Sequence, residues 1–153
     1  MTIRRAEERD VPRLLELLAQ VLAIHAAIRP DIFVPGSTKY TEAELRAIVA
    51  DDGAPVFVAD DCGVAGYAFC AIREQKSNHL AKRRTLYIDD LCVDSAKRGA
   101  GIGEALFRFV CGEARRLGCA DVTLAVWEGN DGARRFYEKM GMKPKETIME
   151  LSL

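Results

Sequence analysis

Arg98-Gly99-Ala100-Gly101-Ile102-Gly103 is the stretch on which the reading of this chain turns. It follows residues 86–93, an apolar segment that reads as a buried strand, and precedes residues 104–117, where apolar side chains recur at helical spacing. The first N–H groups of a helix have no intrahelical partner, the macrodipole adds partial positive charge, and glycines let the main chain approach a ligand closely. Strand, glycine turn and helix therefore predict a cradle for a phosphate or diphosphate, to which Arg98 adds a full positive charge.

Two common phosphate binders do not fit. A P-loop of the form GxxxxGK[ST] needs a lysine and a hydroxyl after the glycines, and none follows here. A dinucleotide fingerprint needs GxGxxG, but Gly99 and Gly101 are followed by Glu104, and Gly101 and Gly103 by Leu106. The turn also lies two-thirds of the way along the chain rather than after a first strand, which disfavours a nicotinamide or flavin cofactor.

Working towards the N-terminus, residues 84–93 read as one strand, residues 74–83 as a polar loop, and residues 55–59 and 64–73 as a hairpin around Asp60-Asp61-Cys62-Gly63. Residues 41–49 form a helix with Thr41 and Glu44 in capping-box register. Residues 29–39 form a loop, and residues 10–27 an amphipathic helix with Asp10 as N-cap and Pro12 in the first turn. Residues 2–5 are a short first strand. Towards the C-terminus the helix after the glycine turn presents Ile102, Leu106, Phe109, Val110 and Leu117 to the core and stops at Gly118. Val122, Leu124 and Val126 alternate as a strand, residues 133–140 form a helix capped by Gly141, and residues 147–153 read as a last strand. A hairpin followed by helix-linked strands implies one α/β or α+β layered domain over residues 1–153, with a mixed central sheet and helices on both faces.

Composition narrows the function. Of 153 residues, 22 are basic and 23 acidic, for a net charge of −1 and no basic stripe, so nucleic acid is not the expected ligand. No uninterrupted apolar run approaches the ~18 residues of a membrane span, and the N-terminus is charged at once, so no membrane association and a cytoplasmic location are expected. Cys62, Cys70, Cys92, Cys111 and Cys119 are odd in number and scattered, the pattern of reduced thiols rather than disulfides or metal ligands.

Arg98, Gly101 and Gly103 satisfy R-x-x-G-x-G, preceded by Leu91-Cys92-Val93 on the strand. With the later block Asn130-Asp131-Gly132-Ala133-Arg134-Arg135-Phe136-Tyr137-Glu138-Lys139-Met140-Gly141-Met142, the chain resembles the GCN5-related N-acetyltransferases over its full length. That resemblance implies an acyl-CoA N-acyltransferase fold and transfer of acetyl from acetyl-coenzyme A to an amine by direct attack, with no metal and no covalent enzyme intermediate. It places the coenzyme where the strands at residues 84–93 and 121–127 splay. Leu91, Cys92 and Val93 would offer main-chain partners to its pantetheine arm, as to an added strand. Arg98, Gly99, Ala100, Gly101, Ile102, Gly103 and Glu104 would hold its pyrophosphate, and Asn130 either its arm or a helix N-terminus.

For the chemistry, Tyr137 is the expected general acid towards the departing thiolate, with plain packing beside Phe136 and Met140 as the alternative. Asp89 and Asp90 interrupt an apolar strand, and strict alternation sends one to each face. Asp89, then Asp90, is the expected base or ammonium anchor, the alternative being pairing with Lys82, Arg83 or Arg84. Cys92 and His25 read as structural; Trp127 and Glu128 border the acceptor entrance. The acidic side chains Asp89, Asp90 and Glu128 favour a cationic amine, small molecule or peptide, as partner. Only about twelve residues follow Gly141, where the family pattern has two strands, so the acceptor cleft is expected to be open on that side or completed by a second subunit of a homodimer. Two other readings of the same motifs are a coenzyme-A-binding sensor without catalysis and an acyltransferase using another acyl donor or a hydroxyl acceptor.

Overall fold

The computed structural model describes residues 1–153. Its strands are β1 (Thr2–Arg5), β2 (Val56–Asp60), β3 (Val64–Glu74), β4 (Arg84–Val93) and β5 (Asp121–Leu124), and its helices α1 (Val11–Ile28), α2 (Glu42–Ala50), α3 (Ile102–Arg116) and α4 (Asp131–Lys139). The five strands lie in sequence order; β1 to β4 pair antiparallel and β5 joins β4 in parallel, which makes the sheet mixed. β2 and β3 are apolar almost throughout because both of their faces are covered. On one face α1 and α2 bury Leu14, Leu17 and Leu45 against Val58, Tyr67 and Phe69; on the other α3 buries Leu106, Phe107 and Val110 against Phe57, Leu86 and Ile88. The α/β layered architecture read from the sequence is the one observed.

Local chemistry explains most element boundaries. At α2, Thr41 Oγ1 accepts the Glu44 N–H at 3.2 Å while the Glu44 carboxylate accepts the Thr41 N–H at 2.7 Å, so the expected capping box is complete. Asp10 behaves differently from the N-cap expected of it. Its buried carboxylate makes no cap bond to α1; it accepts two bonds from Arg4, at 2.7 and 2.9 Å, and the Glu7 N–H at 2.8 Å. A bidentate guanidinium outcompetes a cap bond here because it also satisfies Arg4. Burial alone would raise the Asp10 pKa, but these bonds outweigh it and hold the carboxyl below its ordinary value.

Four other expectations need correction. Residues 143–153 form no strand: they make no main-chain hydrogen bond, and Ile148, Met149, Leu151 and Leu153 are exposed. β5 ends at Leu124, short of Val126, where its pairing with β4 stops opposite Ile88. α3 buries Phe107 and Ala114, leaving Phe109 and Leu117 half-buried at the margin. Finally, α1 is by length and mean hydropathy, 1.5 over its most apolar window, long and apolar enough to cross a membrane, although Arg13 and Glu16 interrupt the apolar run. Its Val11, Leu14, Leu17, Leu18 and Ala26 are spent on the core.

Candidate active site

The site is made by a fault in the sheet. Along β3 and β4 the register passes from Cys70 opposite Ile88 to Phe69 opposite Asp90, leaving Asp89 unpaired as a β-bulge. Pairing between β4 and β5 stops at the same point, with Ile88 opposite Leu124. Beyond it the two strands part, and the cleft between them is lined by Asp89, Asp90, Leu91, Ala125, Val126, Asn130, Tyr137 and His25.

The bulge also overturns the expectation that Asp89 and Asp90 face opposite sides. The extra residue rotates the strand, and both carboxylates meet one cation: Lys39 Nζ donates to Asp89 Oδ2 at 2.8 Å and lies 3.7 Å from Asp90 Oδ2. Lys39 comes from the loop between α1 and α2, not from the basic cluster considered in sequence. Arg83 instead bonds Asp121 and Arg84 bonds Glu74. Burial of Lys39 opposes its charge, yet the bond to Asp89 and the fields of both carboxylates prevail, so its pKa is raised. Asp90 is the more buried acid and accepts the Tyr67 O–H at 3.1 Å. Burial lifts the Asp90 pKa above the usual carboxylate range even though Lys39 and Tyr67 pull it down.

Main-chain groups point into the cleft where the resemblance requires them. Asp94 N–H donates to Ala65 O at 2.8 Å, and antiparallel bonding alternates, so Leu91 and Val93 turn their N–H and C=O groups away from β3, towards the parting β5. Cys92 faces the other way: its thiol lies 3.7 Å from Leu17 O, and burial pushes it up to about 12, the environment of a packing residue. Gly66 sits opposite Val93, where a Cβ would meet Cys92 O at 2.6 Å; only glycine allows β3, β4 and α3 this close.

At the glycine turn Gly99 and Gly101 adopt φ of +83° and +78°, and Gly101 begins α3 without a side-chain cap. The N–H groups of Ile102, Gly103 and Glu104 donate to no group of the chain, while Ala105 starts the helical ladder. Arg98 is exposed, makes no ion pair, and touches only Val93 O at 3.3 Å. The turn is held rigidly beneath, since Asp94 pairs with Arg13, accepts the Ala96 N–H at 3.1 Å and meets Gln20 at 3.3 Å. Glu104, included in the cradle by sequence, offers only its N–H; its carboxylate is paired with Arg108 and Lys139.

The opposite wall is α4. Asn130 Oδ1 accepts the Ala133 N–H at 3.2 Å, so it caps the helix while lining the cleft. Tyr137 packs at 6.0 Å from Phe107 and 5.1 Å from Phe136 between ring centroids, with its hydroxyl engaged by no group of the chain. Burial and the nearby Asp90 raise its pKa, so the phenol keeps its proton. Glu128, expected at the entrance, is paired with Arg134 at 2.8 Å and exposed, and adds little to the acidity of the cleft.

Sequence reasoning missed Lys39, Tyr67 and Phe33. Tyr67 carried a signal, because a tyrosine in a buried strand needs a hydroxyl partner and Asp90 lies on the neighbouring strand. Lys39 and Phe33 carried none, since a loop residue's position depends on the path of the whole loop. Phe33 packs 5.1 Å from His25 and edge-on at 5.3 Å to Trp127, forming an aromatic rim on the acceptor side. Burial and Lys39 lower the His25 pKa, so its ring is neutral near pH 7.

A splayed parallel strand pair, free strand amides and an uncapped glycine turn define an acyl-CoA N-acyltransferase fold. The Acetyltransferase (GNAT) family model matches residues 18–142, and the chain belongs to that family. It is 29% identical over 154 residues to glucosamine 6-phosphate N-acetyltransferase of Trypanosoma brucei brucei, covering 100% of this chain and 96% of that one. To thialysine N-epsilon-acetyltransferase of Bos taurus it is 30% identical over 149 residues, covering 91% and 82%. Among solved structures, a mutant of the BH1408 protein from Bacillus halodurans superposes with a TM-score of 0.96 at 30% identity, over 100% of this chain and 99% of that one. The protein is accordingly an acetyl-CoA-dependent N-acyltransferase.

Proposed function

We propose that this enzyme transfers acetyl from acetyl-CoA to a primary amine that arrives as a cation, and that Asp89 and Asp90 receive it. The observation that carries this reading is Lys39: an alkylammonium already lies between both carboxylates at the mouth of the cleft, 2.8 and 3.7 Å from their oxygens. A substrate ammonium has the same charge and donors. It would displace Lys39, whose flexible stem lets it swing to solvent.

Acetyl-CoA supplies an activated acyl group on a thiol leaving group. Ile102, Gly103 and Glu104 would hold its diphosphate by their N–H groups, with Arg98 as counter-charge. Leu91 and Val93 would bond its amide arm. Asp90, held by Tyr67 and lifted in pKa by burial, is suited to take a proton from the amine. Asp89, more exposed, anchors the ammonium on arrival. Tyr137, protonated and free of internal partners, donates to the departing sulfur. The relatives named for glucosamine 6-phosphate and thialysine acetylation support an amine acceptor.

The test is thiol release from acetyl-CoA against a panel comprising an amino sugar phosphate, a thialysine, a polyamine and a lysine peptide. Tyr137→Phe is expected to lower kcat by ~10²–10⁴ with little change in coenzyme affinity, the range of a lost general acid. Full turnover by that variant across the pH range removes Tyr137 from the mechanism. Binding of acetyl-CoA without turnover on any amine supports the sensor reading instead.

A further inference from the structure

Lys39 is held in place by its neighbours in the chain. Tyr40 lays its ring along Phe69, with centroids 6.1 Å apart and planes 29° from parallel, and Phe69 lies opposite Asp90 in the β3–β4 pairing. Thr41 follows as the N-cap of α2, locked by its exchange of bonds with Glu44. On the other side Ser37 closes a turn, its N–H and hydroxyl donating to Val34 O at 3.2 and 2.7 Å. Anchored at both ends, this short stretch carries the Lys39 ammonium to the carboxylates of the bulge, with the Tyr40 ring centroid 5.4 Å from it.

No other amine of the chain shares this position. Lys97 pairs with Asp61, Lys139 with Glu104 and Lys145 with Asp121, and the terminal amine lies 3.8 Å from Asp61. None of those acids lines the cleft, whereas Asp89 and Asp90 both do. Tyr137 lines the same cleft, and after burial it is the charge of Asp90 that raises the pKa of its phenol. One carboxylate thus neighbours both a primary alkylamine and the phenol that faces the departing sulfur in the proposed reaction.

We infer that Lys39 is itself an acceptor of this enzyme, acetylated in cis from acetyl-CoA bound in the cleft of the same chain. Such a transfer rests on the reaction proposed above, since Asp90 and Tyr137 would make the same two proton transfers. A lysine side chain is a primary alkylamine, the acceptor that reaction requires, and its attachment to the chain removes the entropic cost of bringing it there. Pairing with two carboxylates opposes the loss of its proton, but a free alkylammonium received between them meets the same opposition.

Asp90 takes one proton from the ammonium, and the lone pair so freed attacks the thioester carbonyl carbon. The N–C bond forms and the C–S bond breaks, the sulfur leaving as a thiolate that takes the phenol proton of Tyr137. The second proton lost by the nitrogen restores the phenol, and Asp90 passes its own to solvent. The products are an amide at Lys39, the free thiol of coenzyme A and one proton. The amide is neutral and offers Asp89 and Asp90 no charge to attract, so the transfer happens once per chain.

The test is incubation of the whole chain with acetyl-CoA and no added amine, read by peptide mass spectrometry and by thiol release. Lys39 is expected to gain its acetyl group at least ~10²-fold faster than Lys139 or Lys145. Those side chains are 73% and 66% exposed against 38% for Lys39, so uncatalysed acetylation would favour them. At saturating acetyl-CoA the rate constant should not change on dilution of the protein, and it should fall by ~10²–10⁴ in Tyr137→Phe. Lys39→Arg, which keeps the positive charge, should lose the fast phase of thiol release. Acetylation of Lys39 no faster than of Lys139 and Lys145, a rate constant proportional to protein concentration, or an undiminished rate in Tyr137→Phe overturns the inference. Should that variant fail to fold, site selectivity and dilution decide alone. Parallel assays with the amine panel separate this transfer from the proposed function. Free amines turned over while Lys39 stays unmodified overturn the cis transfer alone; Lys39 modified with no free amine turned over sustains it and removes the free acceptor. Acetyl-CoA bound with neither product formed overturns both.

Discussion

The part of the molecule up to Ala114 and the part beyond it are built to different standards. The first is a finished scaffold: Leu14, Leu45, Tyr67, Leu86 and Leu106 are fully enclosed, and both helical layers close over four antiparallel strands. The second holds a four-residue edge strand, a helix with no buried residue and an extended tail. The cleft proposed for catalysis lies along the seam. One wall supplies the carboxylates and the main-chain cradle on rigid elements, the other supplies Tyr137 and Asn130 on a lightly anchored helix. Sites need a stiff frame for charge and donor placement, whereas an element that must admit and release a large ligand is drawn from the less stable end.

The contrast can be broken first by stability. Leu106→Ala in the enclosed part should cost ~2–5 kcal/mol, the range for a buried leucine, while Leu124→Ala in the half-covered part should cost about 1 kcal/mol, measured by denaturant unfolding. Equal losses would erase the distinction. A more local effect is expected from Gly101→Val. The substituted residue would occupy φ +78°, at a strain of about 1–2 kcal/mol, in space open enough for the fold to survive. Calorimetric titration should show coenzyme A affinity reduced by at least about tenfold, or 1.4 kcal/mol. Unchanged affinity would show that the enclosed part does not supply the cradle.

Lys39→Met sharpens the account of the acceptor side. Removing the resident ammonium should lower KM for a cationic amine severalfold and leave kcat nearly unchanged, because ground-state competition is all that is removed. A fall in kcat would instead give Lys39 a part in the chemistry. The smallest effect concerns acid stability at Asp10. Its folded pKa lies below the unfolded value of about 3.9, so the stabilisation from the Arg4–Asp10 pair is fully present above that value and is lost as pH falls below it and through the lower folded pKa. Asp10→Asn should be less stable at pH 7 and show a flatter stability curve between about pH 5 and 2.

The fold was legible where periodicity was strong. β4 has the bounds read from its alternation, and α2 begins at the capping box that Thr41 and Glu44 spell out. The glycine turn could be read because positive φ and bare helix N–H groups are local properties. Asp89 and Asp90 were located as unusual, but their convergence was not, since a bulge is set by pairing with β3 and leaves no mark in β4's own sequence. The tail misled for a related reason. Residues 147–153 have the composition of a strand, and a strand exists only where another edge is there to bond it.

By itself, then, the sequence determined the layered fold, the glycine turn with its bare helix N–H groups and the identity of the phenol and carboxylates that line the cleft, because backbone conformation and side-chain chemistry are written residue by residue. Which way those carboxylates point, that Lys39 sits between them, that the Asp10 carboxylate binds Arg4 and the Glu7 N–H rather than capping α1, and that the last eleven residues lie unpaired beside β5 were decided only in the tertiary structure. Each of these depends on which distant segment arrives to make the bond, and proximity across the chain is fixed by packing the whole molecule at once.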